Sequence, residues 1–173
     1  THTNEHADTT PPPMKPNIKT HQASPTSVDM AGQISTDLTG RFHVTSSRGN
    51  KYLMVLYDYD SNAILVEPMK SKAENIYGFN KLHQYLIDRG FRPQTQRLDN
   101  EASHEFLRNL RNKEINYQMV PPHMHRRNPA ERAIQTFKNH FIAALCTTDK
   151  NVPMHLWDPR LPQGTTTNNH LTT

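Results

Sequence analysis

Residues 128–145 read NPAERAIQTFKNHFIAAL. Ala130, Ala133, Ile134, Phe137, Phe141, Ala144 and Leu145 recur in steps of three, four and one, which makes a single apolar stripe on a helix. Asn128 suits the N-cap and Pro129 the first helical position, so Glu131 falls at N3, where capping and the helix dipole favour a carboxylate. Glu131, Gln135 and Lys138 stand at i, i+4 and i+7 and form a second, polar stripe. A helix of this kind must bury one face against another layer. The residues before it supply that layer.

Gln33 to Leu38 reads as a short strand carrying Asp37 near its end. Lys51 to Tyr59 is a nearly continuous apolar run, expected of a strand covered on both faces. Asp60-Ser61-Asn62 turns the chain, and Ala63 to Pro68 returns as an antiparallel partner. Ser71 to Arg89 has helical spacing, with Ser71 and Glu74 as a capping box and Gly90 as its stop. Gly78 inside that helix costs about 1 kcal/mol against alanine. Arg92 to Leu98 reads as a strand ending at Asp99, Ala102 to Asn112 as a short helix, and Ile115 to Val120 as a strand stopped by Pro121-Pro122. The order β-β-β-α-β-α-β-α implies an α/β domain. Its sheet is mixed, with an antiparallel hairpin part and strands added in parallel through helical crossovers.

Three carboxylates take notable places on this sketch. Asp37 lies on the first strand, Asp99 follows the fourth, and Glu131 opens the last long helix. First and fourth strands can be neighbours in a mixed sheet, and oxygen ligands suit a pair of hard divalent ions that assist phosphoryl transfer. Plain alternatives stand beside that reading. Asp37 suits a turn acceptor, Asp99-Asn100 an N-cap for the next helix, and Glu131 an N3 cap.

Composition sets the limits. The chain has 173 residues, 34% of them hydrophobic, and a formal net charge of +4. That charge favours a polyanionic partner. Residues 1–32 hold five prolines and six threonines and read as a disordered lead, because they bury too little apolar surface to offset ordering entropy. The single cysteine, Cys146, excludes an internal disulfide or a cysteine-rich zinc site, and is expected to be buried packing. His123 and His125 have no further ligand nearby for zinc. No transmembrane run or signal peptide stands out, so an intracellular, soluble protein without membrane attachment is expected. Val152 to Trp157 suits the start of a further helix. Residues 159–173 are threonine-rich and resemble a truncated or frameshifted tail, which would expose core surface.

Taken together, residues 33–158 resemble the catalytic core of retroviral and retrotransposon integrases, within the ribonuclease-H-like polynucleotidyl transferases. Three blocks carry the likeness. They are Thr36-Asp37-Leu38-Thr39-Gly40-Arg41-Phe42 with the hairpin 51–68, then Arg97-Leu98-Asp99-Asn100-Glu101 with His104-Glu105-Phe106, and finally Pro121-Pro122-His123 through Asn128-Pro129-Ala130-Glu131-Arg132. The resemblance implies a ribonuclease-H-like fold, a five-stranded mixed sheet flanked by helices. It also implies that Asp37, Asp99 and Glu131 bind two Mg²⁺ or Mn²⁺ ions, and that Gln135, Lys138, His123, Asn128 and Arg127 meet DNA. The partner would be double-stranded DNA, both element ends and target, in a homo-oligomer in the nucleus or a virus-like particle. Glu101 stands where the family has glycine, and no zinc module precedes the core. Three functions stay open: end-processing and joining of retrotransposon DNA, cutting without joining, and DNA binding by an inactive, degenerate core.

Overall fold

The computed structural model describes residues 31–98, 102–120, 129–147 and 153–161. Strand β1 (Gln33–Leu38) is followed by β2 (Tyr52–Asp58) and β3 (Ile64–Met69), then helix α1 (Asn75–Asp88). Strand β4 (Thr95–Leu98), helix α2 (His104–Asn112), strand β5 (Asn116–Met119) and helix α3 (Pro129–Cys146) complete the main elements. The five strands form one sheet in the order β3-β2-β1-β4-β5. β1 runs antiparallel to β2 and parallel to β4, and β4 runs parallel to β5. The sequence order and the mixed sheet are therefore as expected, with β1 in the middle.

Side-chain alternation along β2 divides the core in two. Met54 and Leu56 face α1 and α2, where Phe79, Leu82, Leu86, Phe106 and Leu110 close the layer. Leu53, Val55 and Tyr57 face α3, whose Ala130, Ile134, Phe137 and Phe141 form the stripe legible in the sequence. Two helical layers thus cover the sheet, and β2 is apolar on both sides, as a period-two strand between two layers requires.

The turn chemistry explains the polar residues of the hairpin. Asp58 is buried and accepts from the Ser61 backbone N–H at 3.0 Å and the Ser61 hydroxyl. Both Asp60 carboxylate oxygens accept from the Gly32 N–H at 3.0 Å, which ties the start of β1 to the β2–β3 turn. Gly90 ends α1 at φ +87°. Its N–H donates to Ile87 and the Phe91 N–H to Leu86, the paired bonds of a Schellman stop.

Several details differ from the sequence reading. The capping box is not formed, because Ser71 makes no side-chain cap bond and Glu74 accepts from the Lys70 N–H at 2.8 Å. A 3₁₀ turn at Lys72–Glu74 leads into α1, which therefore starts four residues later than expected. Strand β4 is shorter than 92–98, starting only at Thr95. Pro93 has no N–H to give a ladder. The N-cap of α2 is Ser103, whose hydroxyl accepts from the Phe106 N–H, so the helix does not need Asp99-Asn100 for that role. Cys146 is exposed rather than buried, since it lies roughly two and a half turns beyond Phe137 and so points away from the core face. After α3 the chain forms two 3₁₀ turns, Met154–Leu156 and Asp158–Arg160, in place of a further α-helix.

Those two turns pack back onto the domain. Trp157 is 2% exposed and its indole N–H donates to Val44 O at 2.9 Å. Asp158 accepts from the Ser46 hydroxyl at 2.9 Å and the Asn50 amide at 3.0 Å. This clasp covers the end of the α3 layer, while Val44, Ile142, Met154 and Leu156 stay exposed beside it. The lead 1–30 with His2, His6 and His21, the proline stop at Pro121-Pro122, and residues 162–173 lie outside the described residues.

Candidate nucleic-acid-processing site

Alternation on β1 decides where Asp37 points. Ile34 and Leu38 belong to the α1–α2 side, so Ser35 and Asp37 belong to the α3 side. The Asp37 carboxylate is half exposed at 54%, and its Oδ2 accepts from Lys138 Nζ on α3 at 2.5 Å. The same ammonium donates to Leu38 O at 3.3 Å. Lys138 is therefore held at the end of β1 by one charge and one carbonyl. An open ion pair of this kind contributes only about 0–1 kcal/mol to stability.

Glu131 lies two turns before Lys138 on the same side of α3, roughly 10 Å along the helix axis. It is exposed and is not without a partner. With α3 starting at Pro129, its place is N3, as the sequence spacing implies. Gln135 is exposed between them, and its amide donates to Asn139 Oδ1 at 3.0 Å. Asp99, His123, Arg127 and Asn128 lie outside the described residues. Among the described residues no three His, Cys, Asp or Glu side chains are grouped to hold a metal.

The β1–β4 ladder keeps one register throughout. It sets Gln33 opposite Thr95, Ile34 opposite Gln96 and Ser35 opposite Arg97, a constant offset of 62 positions. Asp37 and Asp99 are separated by the same 62 positions in the sequence. Beside the carboxyl ends of β1 and β4 opens a cleft of about 470 Å³, whose lining includes Thr36, Asp37, Lys72, Leu98 and Ser103. Ligands of open α/β sheets bind outside the carboxyl ends of parallel strands. A second cleft of about 430 Å³, largely apolar, lies between residues 39–44 and α3.

The donor chemistry at Asp37 suits a hard cation. An accessible carboxylate at the mouth of a cleft, already paired with a cation, offers the oxygen ligation that Mg²⁺ and Mn²⁺ require. Among the described residues no cysteine or histidine stands in the cleft at Asp37, and the exposed Cys146 lines the other cleft. Within the core beside the site, burial raises the pKa of Tyr57, and the nearby Tyr59 and Asp58 add to the effect. The phenol stays protonated and donates to Asn62 Oδ1 at 2.7 Å.

Two residues near Asp37 carry more than the sequence reading assigned them. Lys138 was expected to meet DNA, and here it is the counter-ion of Asp37. Arg97 had no role, yet it lies opposite Ser35 on β4. A guanidinium in a strand otherwise facing a core is the signal available in the sequence.

The sheet order, the central β1 and the flanking helices define the ribonuclease-H-like fold of retroviral integrase catalytic cores. The structure is similar to a chain of the simian T-cell lymphotropic virus intasome in complex with the PP2A regulatory subunit B56 gamma. The TM-score is 0.57 and the identity 23%, over 80% of this chain and 48% of that one. It is also similar to the HTLV-2 integrase catalytic core in complex with magnesium. The trimeric form gives a TM-score of 0.55 and 21% identity over 78% of this chain and 82% of that one. The dimeric form gives 0.56 and 21%. This chain thus spans about half of the intasome chain but most of an isolated core. No family model and no curated protein matches the sequence.

Proposed function

We propose that the chain is the catalytic core of a metal-dependent polynucleotidyl transferase that trims and joins the DNA ends of a retrotransposon. The observation that carries this reading is the coincidence of the β1–β4 offset with the Asp37–Asp99 spacing. Continued past Leu98, that register would set the second aspartate beside the first. Glu131, on the helix whose Lys138 reaches Asp37, supplies the third carboxylate. Ser103 caps α2, which removes one ordinary reason for Asp99-Asn100.

Asp37, Asp99 and Glu131 would hold two divalent ions, which when bound activate an attacking oxygen and stabilise the leaving one. The protein's own part is positional. The sheet fixes Asp37, α3 fixes Glu131 through its buried stripe, and the exposed Gln135 with His123, Arg127 and Asn128 would grip the phosphate backbone. The magnesium-bound and oligomeric forms of the HTLV-2 core support divalent metal use and self-association in this chain.

The test is a joining assay with short duplexes carrying a recessed 3′-hydroxyl, in Mg²⁺ or Mn²⁺. The reading expects metal-dependent joined product from the chain, and loss of at least a hundredfold in D37N, D99N and E131Q with melting temperature retained. Cleavage without joining would mark a nuclease on the same fold. Binding with no metal-dependent product would mark an inactive core. Activity surviving in any of the three amide variants would mean that the triad is misassigned.

A further inference from the structure

Arg97 lies on the sheet face that carries Ser35 and Asp37, directly opposite Ser35 in the parallel ladder and opposite Gln118 on its other side. One pleat further along β1 from Ser35 is Asp37, so the two α-carbons are within about 8 Å, from a strand spacing near 4.8 Å and a two-residue rise near 6.7 Å. The surroundings leave this guanidinium underused. Its Nη1 reaches the Tyr59 hydroxyl only at 3.5 Å, its carbon lies 5.9 Å from the Tyr59 ring centre, and its Nε is buried with no hydrogen-bond partner among the described residues. A buried donor on a permanently charged group is costly to leave unmade.

The neighbouring strand positions extend the feature. Alternation puts Thr95 and Arg97 on β4, and Asn116 and Gln118 on β5, on one face. The opposite face buries Gln96 and Leu98 and packs Tyr117. Asn116 and Gln118 are exposed. The helical stripe of α3 is spent on β2 and β3 residues, together with Trp157 and Leu161. A polar shelf with one cation therefore continues the sheet surface from Asp37 toward the β5 edge.

We infer that Arg97 is a phosphate-binding residue, gripping one backbone phosphate of a DNA strand that crosses this shelf toward Asp37. The two Nη donors of the planar guanidinium match two phosphate oxygens. Arg97 would be a positioning residue: it sets where the strand lies relative to the carboxylates. This inference rests on the proposed nucleic-acid-processing reading, and adds to it one contact and one path across the surface.

The experiment measures binding of a fluorescent duplex to the full 173-residue chain bearing D37N, with no divalent metal, so that binding is read apart from chemistry. R97M is expected to weaken binding on the order of tenfold and to reduce the salt slope by about one. R97K should recover part of the affinity, since it keeps the charge but loses the fork. The same duplex is then made with single neutral methylphosphonates along one strand. One position should weaken the arginine chain about as much as R97M does, and should weaken R97M no further. Losses that add at every position, or binding unchanged in R97M, would overturn the inference and leave the proposed function standing. A coupled phosphate in a chain that forms no metal-dependent product would do the reverse. If R97M melts much lower, the comparison of arginine with R97K at the coupled phosphate carries the test. A Y59F control should retain the coupling, and its loss there would mean that Tyr59 makes the contact.

Discussion

Lys138 and Asp37 show how one side chain can serve two settings. Alternation on β1 and spacing on α3 are legible in the sequence, but their meeting is not, because it depends on how far α3 slides along the sheet. The pair has a measurable consequence. Replacing Lys138 with methionine removes a competing positive charge, so Mn²⁺ should bind Asp37 about two- to fivefold more tightly, as expected from roughly 0.3–1 kcal/mol for an open pair. Duplex binding should weaken in the same variant. Calorimetry with Mn²⁺ and fluorescence with DNA read the two effects separately, and weaker Mn²⁺ binding would contradict the counter-ion role.

His83 offers a second test at this scale. It is buried in α1 against Phe79, with ring centres 5.9 Å apart, and its Nδ1 has no hydrogen-bond partner among the described residues. Burial lowers its pKa below the ordinary 6.5, and Lys113 adds to the effect. The unfolded chain therefore binds more protons than the folded one in the window just below pH 6.5, so stability falls as pH drops through it. H83F should flatten that part of the stability profile in urea titrations. An equally steep fall in H83F would assign the acid sensitivity elsewhere.

Among the elements, α3 was the most legible, since its apolar stripe names its own packing face. Phe137 is buried between Phe141 and the β2 side chains, so F137A should cost about 3–5 kcal/mol, read by chemical denaturation. Gly78 was harder to read. From the sequence it is only a weak point in a helix. In the structure a Cβ there would sit 3.0 Å from Met69 Sδ, so the missing side chain lets α1 approach β3. G78A should then destabilise, by on the order of 1–3 kcal/mol as overpacking does, where helix propensity alone predicts stabilisation. The ends of elements were the least legible. Ser71 and Glu74 match a capping box in spacing, but the 3₁₀ entry turns Glu74 toward Lys70 instead. The post-α3 clasp of Trp157 and Asp158 had no signal, because its partners Val44, Ser46 and Asn50 are more than a hundred residues away.

For the whole molecule, the β2–β3 hairpin and the parallel crossovers follow from connection rules that a sequence can satisfy, while β1 is central because it pairs with both β2 and β4. The site is less legible as an assembly. In the sequence each carboxylate has a bland alternative reading, and only the three-dimensional register ties Asp37 to the spacing of Asp99. In the proposed function these two carboxylates and Glu131 share one metal-binding point at the carboxyl ends of β1 and β4. Anomalous diffraction from crystals soaked in Mn²⁺ tests it most directly. Manganese peaks contacted by carboxylate oxygens of Asp37, Asp99 and Glu131 are expected, and are expected to be lost in D37N. Manganese bound elsewhere, or peaks that persist unchanged in D37N, would contradict it.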